Sequence, residues 1–232
     1  MREKKIIDPS LFENREEAFK ELLPTIYINP SDLSNTILIA VSKAGIYLAY
    51  MLSKALKIKM NILLSEEILA PNNSELPIAM VSETEEMVMH KPYIDSFEID
   101  KDYVYSQAQH KYEEVVLKHI YKYRKGIALE PLKGKHIILV DECIETGLTM
   151  MVALKSMIEM DVRSLYVAVP ILDKSIYPNL LTLCDGVFCP HQIENYISIE
   201  YYYKNAENLD FNIIEEMIAN SGILDEPKHT KE

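Results

Sequence analysis

The stretch HIILVDECIETGLTM, residues 136–150, reads as a buried strand handing over, through a tight turn, to a helix. Four branched apolar residues in a row, Ile137, Ile138, Leu139 and Val140, suit a strand covered on both faces, as in a parallel sheet with helices packed on each side. Two acids, Asp141 and Glu142, end the strand. A short turn follows, with Gly147 between Thr146 and the Leu148–Thr149 pair, and then a helical run over 150–160. A turn feeding a helix start leaves backbone N–H groups unpaired near the positive end of the helix dipole, which makes a seat for phosphate. Gly147 lets the backbone approach closely, and the two threonines add hydroxyl donors. The same residues would equally serve an ordinary strand-turn-helix corner with acids at the helix start.

The spacing fits neither GxxxxGK[ST] nor GxGxxG. Acid, acid, three residues and then Thr-Gly-x-Thr resembles the phosphoribosyl pyrophosphate signature of type I phosphoribosyltransferases. The resemblance implies that Asp141 and Glu142 hold the ribose hydroxyls, while Thr146, Gly147, Leu148 and Thr149 cradle the 5′-phosphate. Glu145 belongs to the same substrate loop. It stands where the family has a small residue, and so puts a carboxylate beside the phosphate seat.

A second strand-turn-helix unit precedes this one. Residues 36–41 are a strand candidate, Ser42, Lys43, Ala44 and Gly45 form a small-residue turn, and a helix runs over 46–56. Two such units imply a parallel, helix-covered sheet. Residues 59–64 add a third strand. A bacterial group of predicted phosphoribosyltransferases resembles this chain in further places: Phe12, Arg15, Ala18 and Leu22 at the start, then Pro71, Asn73, Glu75, Leu76 and Ala79. In that group the first turn holds pyrophosphate, which the resemblance assigns here to Lys43, Ala44 and Gly45. Glu66 and Glu67 replace the basic pair usual there.

Residues 66–100, with turn residues at 71–73 and a short strand expected within 87–93, read as a flap beside the main sheet. Apolar residues recurring at three- and four-residue steps predict one long helix over 102–125, stopped at Gly126. Most of the cations on this helix read as a solvated face; the alternative for Arg124 and Lys125 at its end is that they face the pyrophosphate and offset the missing basic pair. Strands are expected at 164–170 and 186–189, where Pro170 and Pro190 fall at strand ends. Helices are expected after the Pro9–Ser10 start up to Pro24, over 173–181 and over 211–220. The tyrosine-rich piece ENYISIEYYYKNAENLD resembles the group's closing segment.

Composition bounds the function. The 232 residues are 48% hydrophobic and 26% charged, in the range of a globular chain rather than a disordered one. A formal charge of −12, from 36 acids against 24 bases, opposes broad binding to nucleic acid or anionic membranes. There is no long apolar run and no apolar stretch behind the basic start, which predicts a cytoplasmic protein. Three cysteines give no disulfide framework. Cys143, at a helix start, is a conceivable nucleophile, but Asp141, Glu142 and Glu145 all disfavour its thiolate.

The expected architecture is therefore α/β, a parallel sheet flanked by helices as in type I phosphoribosyltransferases, with a small flap or hood. It forms a single domain over 1–222, followed by a charged tail over 223–232. The resemblance implies transfer of ribose 5-phosphate from phosphoribosyl pyrophosphate to a nitrogen acceptor such as a nucleobase. Asp141 and Glu142 would act at the sugar and, through water, on Mg2+. The implied partners are that donor and a small acceptor, with a homodimer as an admissible assembly and neither nucleic acid nor membrane. A non-catalytic nucleotide or sugar-phosphate sensor is the alternative, motivated by the acidic substitutions.

Overall fold

Asn14 opens the first helix, α1 (Arg15–Leu22), by accepting from the amides of Glu16 and Glu17. The computed structural model describes residues 10–205 and 209–224; Pro9 and residues 225–232, most of the expected charged tail, lie outside the described residues. Strand β1 (Thr36–Ala40), buried throughout, leads into α2 (Lys43–Leu56), which Lys57 ends in the left-handed region. Next come β2 (Lys59–Ile62) and three antiparallel strands, β3 (Ser65–Ala70), β4 (Asn73–Ser82) and β5 (Met87–Met89), closed by the short α3 (Lys91–Ser96). A helical rod follows, made of α4 (Lys101–Lys111), one π-helical turn over Tyr112–Val116, and α5 (Leu117–Arg124). The central stretch gives β6 (His136–Val140), β7 (Cys143–Ile144) and α6 (Leu148–Glu159). After it come β8 (Ser164–Ala168), β9 (Ile171–Asp173), α7 (Tyr177–Leu180), β10 (Gly186–Phe188), β11 (His191–Ile193), α8 (Ile199–Tyr202) and α9 (Phe211–Ala219).

The main sheet has the order β10-β8-β6-β1-β2, all parallel. Side-chain alternation splits its strands between two cores. Leu38, Ala40, Ile138 and Val140 pack with α2, the rod and α9 on one face. Ile37, Ile39, Ile137 and Leu139 pack with Met150, Ala153 and Leu154 of α6 on the other. Both helices behind the ligand-type turns begin earlier than the apolar pattern suggests, α2 at Lys43 and α6 at Leu148, because the polar turn residues form their first turns.

Three neighbouring strands break at one level. β6, β8 and β10 each stop, skip two residues, and resume as β7, β9 and β11, which pair as a second parallel sheet. Val140 is in register with Ala168, and Ala168 with Phe188, before the break; Cys143 is in register with Ile171, and Ile171 with His191, beyond it. Pro170 and Pro190 occupy the break in two strands, where a missing N–H costs no ladder bond. Asp141 and Glu142 occupy it in the third. The acid pair thus leaves the sheet at the carboxyl ends of its strands, where ligand crevices of open parallel sheets lie.

This break also corrects the helix expected over 173–181. Residues 171–173 are drawn into β9 between β7 and β11, Asp173 then turns the chain by accepting from the Ser175 amide at 2.8 Å, and only Tyr177–Leu180 is helical.

The antiparallel sheet over 65–89 has its own small core of Ile68, Ile78, Val81, Ile94 and Val104. Arg124 holds it to the main sheet. Its side chain is buried, pairs with Glu83 and reaches the Ile62 carbonyl at 3.4 Å, while Glu83 accepts from the Leu64 amide at 2.8 Å. The expectation that Arg124 faces a pyrophosphate is therefore overturned: a buried Glu83 without a partner would be strongly destabilising, and Arg124 is that partner. Lys125, left-handed at φ 52°, is an exposed cap on the rod.

Gly45 meets a steric limit. A Cβ at this position would lie 2.7 Å from the Val140 carbonyl oxygen and 3.1 Å from the Asp141 Cα, both backbone atoms. Its lack of a side chain lets the start of α2 press against the end of β6. Gly45→Ala is expected to lower stability by about 1–3 kcal/mol despite the better helix propensity of alanine, read as a lower urea midpoint at unchanged slope.

Candidate functional site

A cavity of about 290 Å³ opens where the break in β6 meets the amino ends of α2 and α6. Asp141, Glu142, Glu145, Thr146, Gly147, Leu148 and Thr149 all line it, as does Ala44; Lys43 and Gly45 do not. The amino end of α6 is the uncapped one. Gly147 precedes it at φ 78°, no side chain caps it, and the Thr146 hydroxyl stands 3.5 Å from the Leu148 nitrogen, at the outer limit of a hydrogen bond. Beyond this weak contact of the Leu148 amide, the amides of its first turn are left to an outside acceptor.

The amino end of α2 differs. Ser42 Oγ accepts from the Gly45 amide at 2.9 Å and donates to Asp141 Oδ1 in a short hydrogen bond. One hydroxyl thus fills an amide of the first turn and fixes the acid of the facing strand. Ser42 is a site residue that the sequence reading left aside, although a serine one position before a helix start is a recognisable cap signal.

The two acids have separate environments. Asp141 Oδ1 also accepts from the Glu142 amide at 2.8 Å. Burial pushes its carboxyl up to about 7, against the opposing effect of the two hydrogen bonds, and the nearby Glu142 charge adds to the rise. Glu142, 2% exposed, is held two-pronged by Arg15: Nε lies 2.8 Å from Oε1, and Nη2 donates to Oε2 at 3.1 Å. Burial raises the Glu142 pKa and the Arg15 charge lowers it, with a net rise. Arg15 was visible in the sequence only as part of a motif match. Its role follows from α1 lying across the break.

Glu145 stands exposed at the rim. Partial burial raises its pKa, and the charges of Glu200 and Asp173 raise it further. Glu66 pairs with His119 at 2.8 Å, and burial holds that imidazole below its usual value while Glu66 opposes the shift. Lys43 acts on His119 too, so its charge is felt in this cluster beside the cavity. Cys143 is pushed up to about 12, chiefly by burial and then by Asp141, which leaves a thiol rather than a nucleophilic thiolate.

The sequence profile of the phosphoribosyl transferase domain matches residues 11–205. The chain belongs to that family. Its two cavity loops, after β1 and after β6, lie at the ends of strands that pair in this phosphoribosyltransferase-type sheet. TT1426 from Thermus thermophilus shares the fold, with a TM-score of 0.72 at 21% identity over 90% of this chain and 98% of that one. A hypothetical protein from Neisseria gonorrhoeae with bound ppGpp matches at TM-score 0.46 and 14% identity, over 92% and 98% of the two chains. A purine phosphoribosyltransferase from Pyrococcus horikoshii matches at 0.41 and 12%, over 81% and 99%. Among the described residues, no helix is long and apolar enough to cross a membrane.

Proposed function

We propose that the protein transfers a 5-phosphoribosyl group from phosphoribosyl pyrophosphate to a nitrogen acceptor, with a nucleobase as the acceptor class and pyrophosphate as the leaving group. The observation that carries this reading is the uncapped amino end of α6 opening on the cavity that Asp141 borders. The first-turn amides and the Thr146 and Thr149 hydroxyls take the 5′-phosphate. Asp141 accepts from a ribose hydroxyl. Glu142, tied to Arg15, shapes the wall instead of reaching the sugar. No enzyme nucleophile is needed, because the nitrogen lone pair forms the new bond at C1 as the bond to pyrophosphate breaks, and the chain supplies position and electrostatics.

Mg2+ fits this donor set as a substrate-borne ion. No group of three or more His, Cys, Asp or Glu side chains that could hold a metal occurs among the described residues, whereas Mg2+ needs only one or two carboxylates beside substrate phosphates. Asp141 would hold it through water, and its chemistry would be to neutralise the leaving group's charge.

Calorimetry with phosphoribosyl pyrophosphate and Mg2+, followed by a pyrophosphate-release assay over a panel of bases, tests the reading. Micromolar binding with release supports it, and no binding overturns it. The carboxylates of Glu66, Glu67 and Glu145 favour a second reading as a nucleotide or sugar-phosphate sensor, for which nucleotides bind without turnover.

Glu145→Ala is expected to tighten ribose 5-phosphate about fivefold, corresponding to about 1 kcal/mol of like-charge repulsion at ~5 Å with the high dielectric of an exposed side chain. Thr146→Val is expected to weaken it by a similar factor through loss of a hydroxyl donor. Unchanged dissociation constants in both variants would place the phosphate elsewhere.

A further inference from the structure

We propose a second small-molecule site at the amino-terminal end of the main sheet, shaped for one flat nitrogen heterocycle of nucleobase size. Thr36, His136 and Ser164 are the first residues of β1, β6 and β8, and their registers set them side by side. They border a cavity of about 200 Å³, with Asp32, Tyr27, Tyr166 and Phe188. This is the end of the sheet opposite to Asp141, so the proposal does not rest on the function assigned there.

The polar groups of this cavity form a chain. His136 Nδ1 lies 2.6 Å from Ser164 Oγ, and Nε2 lies 3.8 Å from Asp32 Oδ1. The trio resembles a nucleophilic triad, but at 3.8 Å the carboxylate does not hydrogen-bond the imidazole and so does not orient it for proton abstraction. The gap instead suits recognition: a ligand N–H can donate to Asp32, with the imidazole and hydroxyl beside it as further donor or acceptor.

The apolar walls set the shape. Tyr166 and Phe188 stack at 5.5 Å between centroids and 24° between planes, Ile138 lies beside them, and Tyr27 stands 78% exposed at the edge. Aromatic faces favour a flat π system over an aliphatic ligand. A volume of about 200 Å³ lies below the ~300–1,000 Å³ common for drug-sized ligands, which suits a single ring system. The Asp32 carboxylate in the lining further disfavours a phosphate-bearing ligand and favours a neutral or cationic ring.

Proton NMR of the full chain tests this locally. Adenine and cytosine are titrated while the C2–H resonance of His136, assigned by its loss in His136→Gln, is followed. The expected result is a saturable shift that persists in saturating ribose 5-phosphate. The dissociation constant should rise about tenfold or more in Asp32→Ala and in Tyr27→Ala, two surface side chains whose removal leaves the core intact. No saturable shift with either base overturns the site. So does a dissociation constant equal to wild type in both variants.

Discussion

Asp141→Asn is expected to stabilise the protein at pH 8 by about 4 kcal/mol and, on the function proposed above, to abolish productive binding of a sugar phosphate. The gain follows from the carboxyl being pushed up to about 7 from the ordinary 3.8, at 1.36 kcal/mol per pKa unit. A carboxyl held above its unfolded value contributes most below the unfolded pKa. That contribution is lost as pH rises through about 4 to 7, where the folded chain gives up a proton that it holds more tightly than the unfolded chain does. Asparagine has no proton to give up. Its Oδ1 can accept from Ser42 and from the Glu142 amide as the aspartate does. Urea denaturation of both proteins at pH 4 and pH 8 gives the comparison. Near-equality at pH 4 with a large gain at pH 8 is expected, and a pH-independent difference would refute the assignment. On the proposed function, the same titration predicts that ribose binding strengthens as pH rises through 7. Asp141 would then be a case of function maintained at the expense of stability.

Arg15→Ala is expected to act in the opposite direction, with a loss of about 3–5 kcal/mol, because it strands Glu142 as a buried charge. The loss should grow with pH above the ordinary glutamate value of 4.5, since the folded-state pKa of Glu142, already raised by burial, rises further when its cation is removed. Thermal or urea unfolding at pH 5 and pH 8 reads it. Replacing both partners, Arg15→Met with Glu142→Leu, should recover most of the stability, which separates an unpaired charge from lost packing of α1. A loss below about 1 kcal/mol for Arg15→Ala at pH 8 would mean that the pair does not hold Glu142.

Much of this was legible from local pattern. The runs at 36–40 and 136–140 are apolar on both faces and became central strands, and the Thr-Gly-x-Thr turn became the uncapped helix start. Each carries its signal within a few consecutive residues. What was not legible depends on contacts far apart in the chain. Glu142 is set by Arg15, 127 positions away. Arg124 looked like a solvated or ligand-facing cation because nothing near it in sequence reveals Glu83, 41 positions earlier. The short strands β7, β9 and β11 have two or three residues each, too few for a periodic pattern, and exist because three broken strands supply one another with partners. Ser42 was readable as a helix cap, but its hydrogen bond to Asp141 needed the packing that Gly45 permits.

The shared interruption of β6, β8 and β10 works as a fault line across the sheet. On its near side, side-chain alternation is bound to two cores, so a one-residue slip in β6 would exchange the residues that fill them. Between the two blocks, the Asp141 amide still bonds across to the Ala168 carbonyl at 3.3 Å, while the side chains of the adjacent acids answer to different neighbours, one to Ser42 before α2 and the other to α1. Past the fault, the far block still carries Ile144, Ile171 and Leu172 into buried clusters, so a change there is transmitted to the apolar body of the protein.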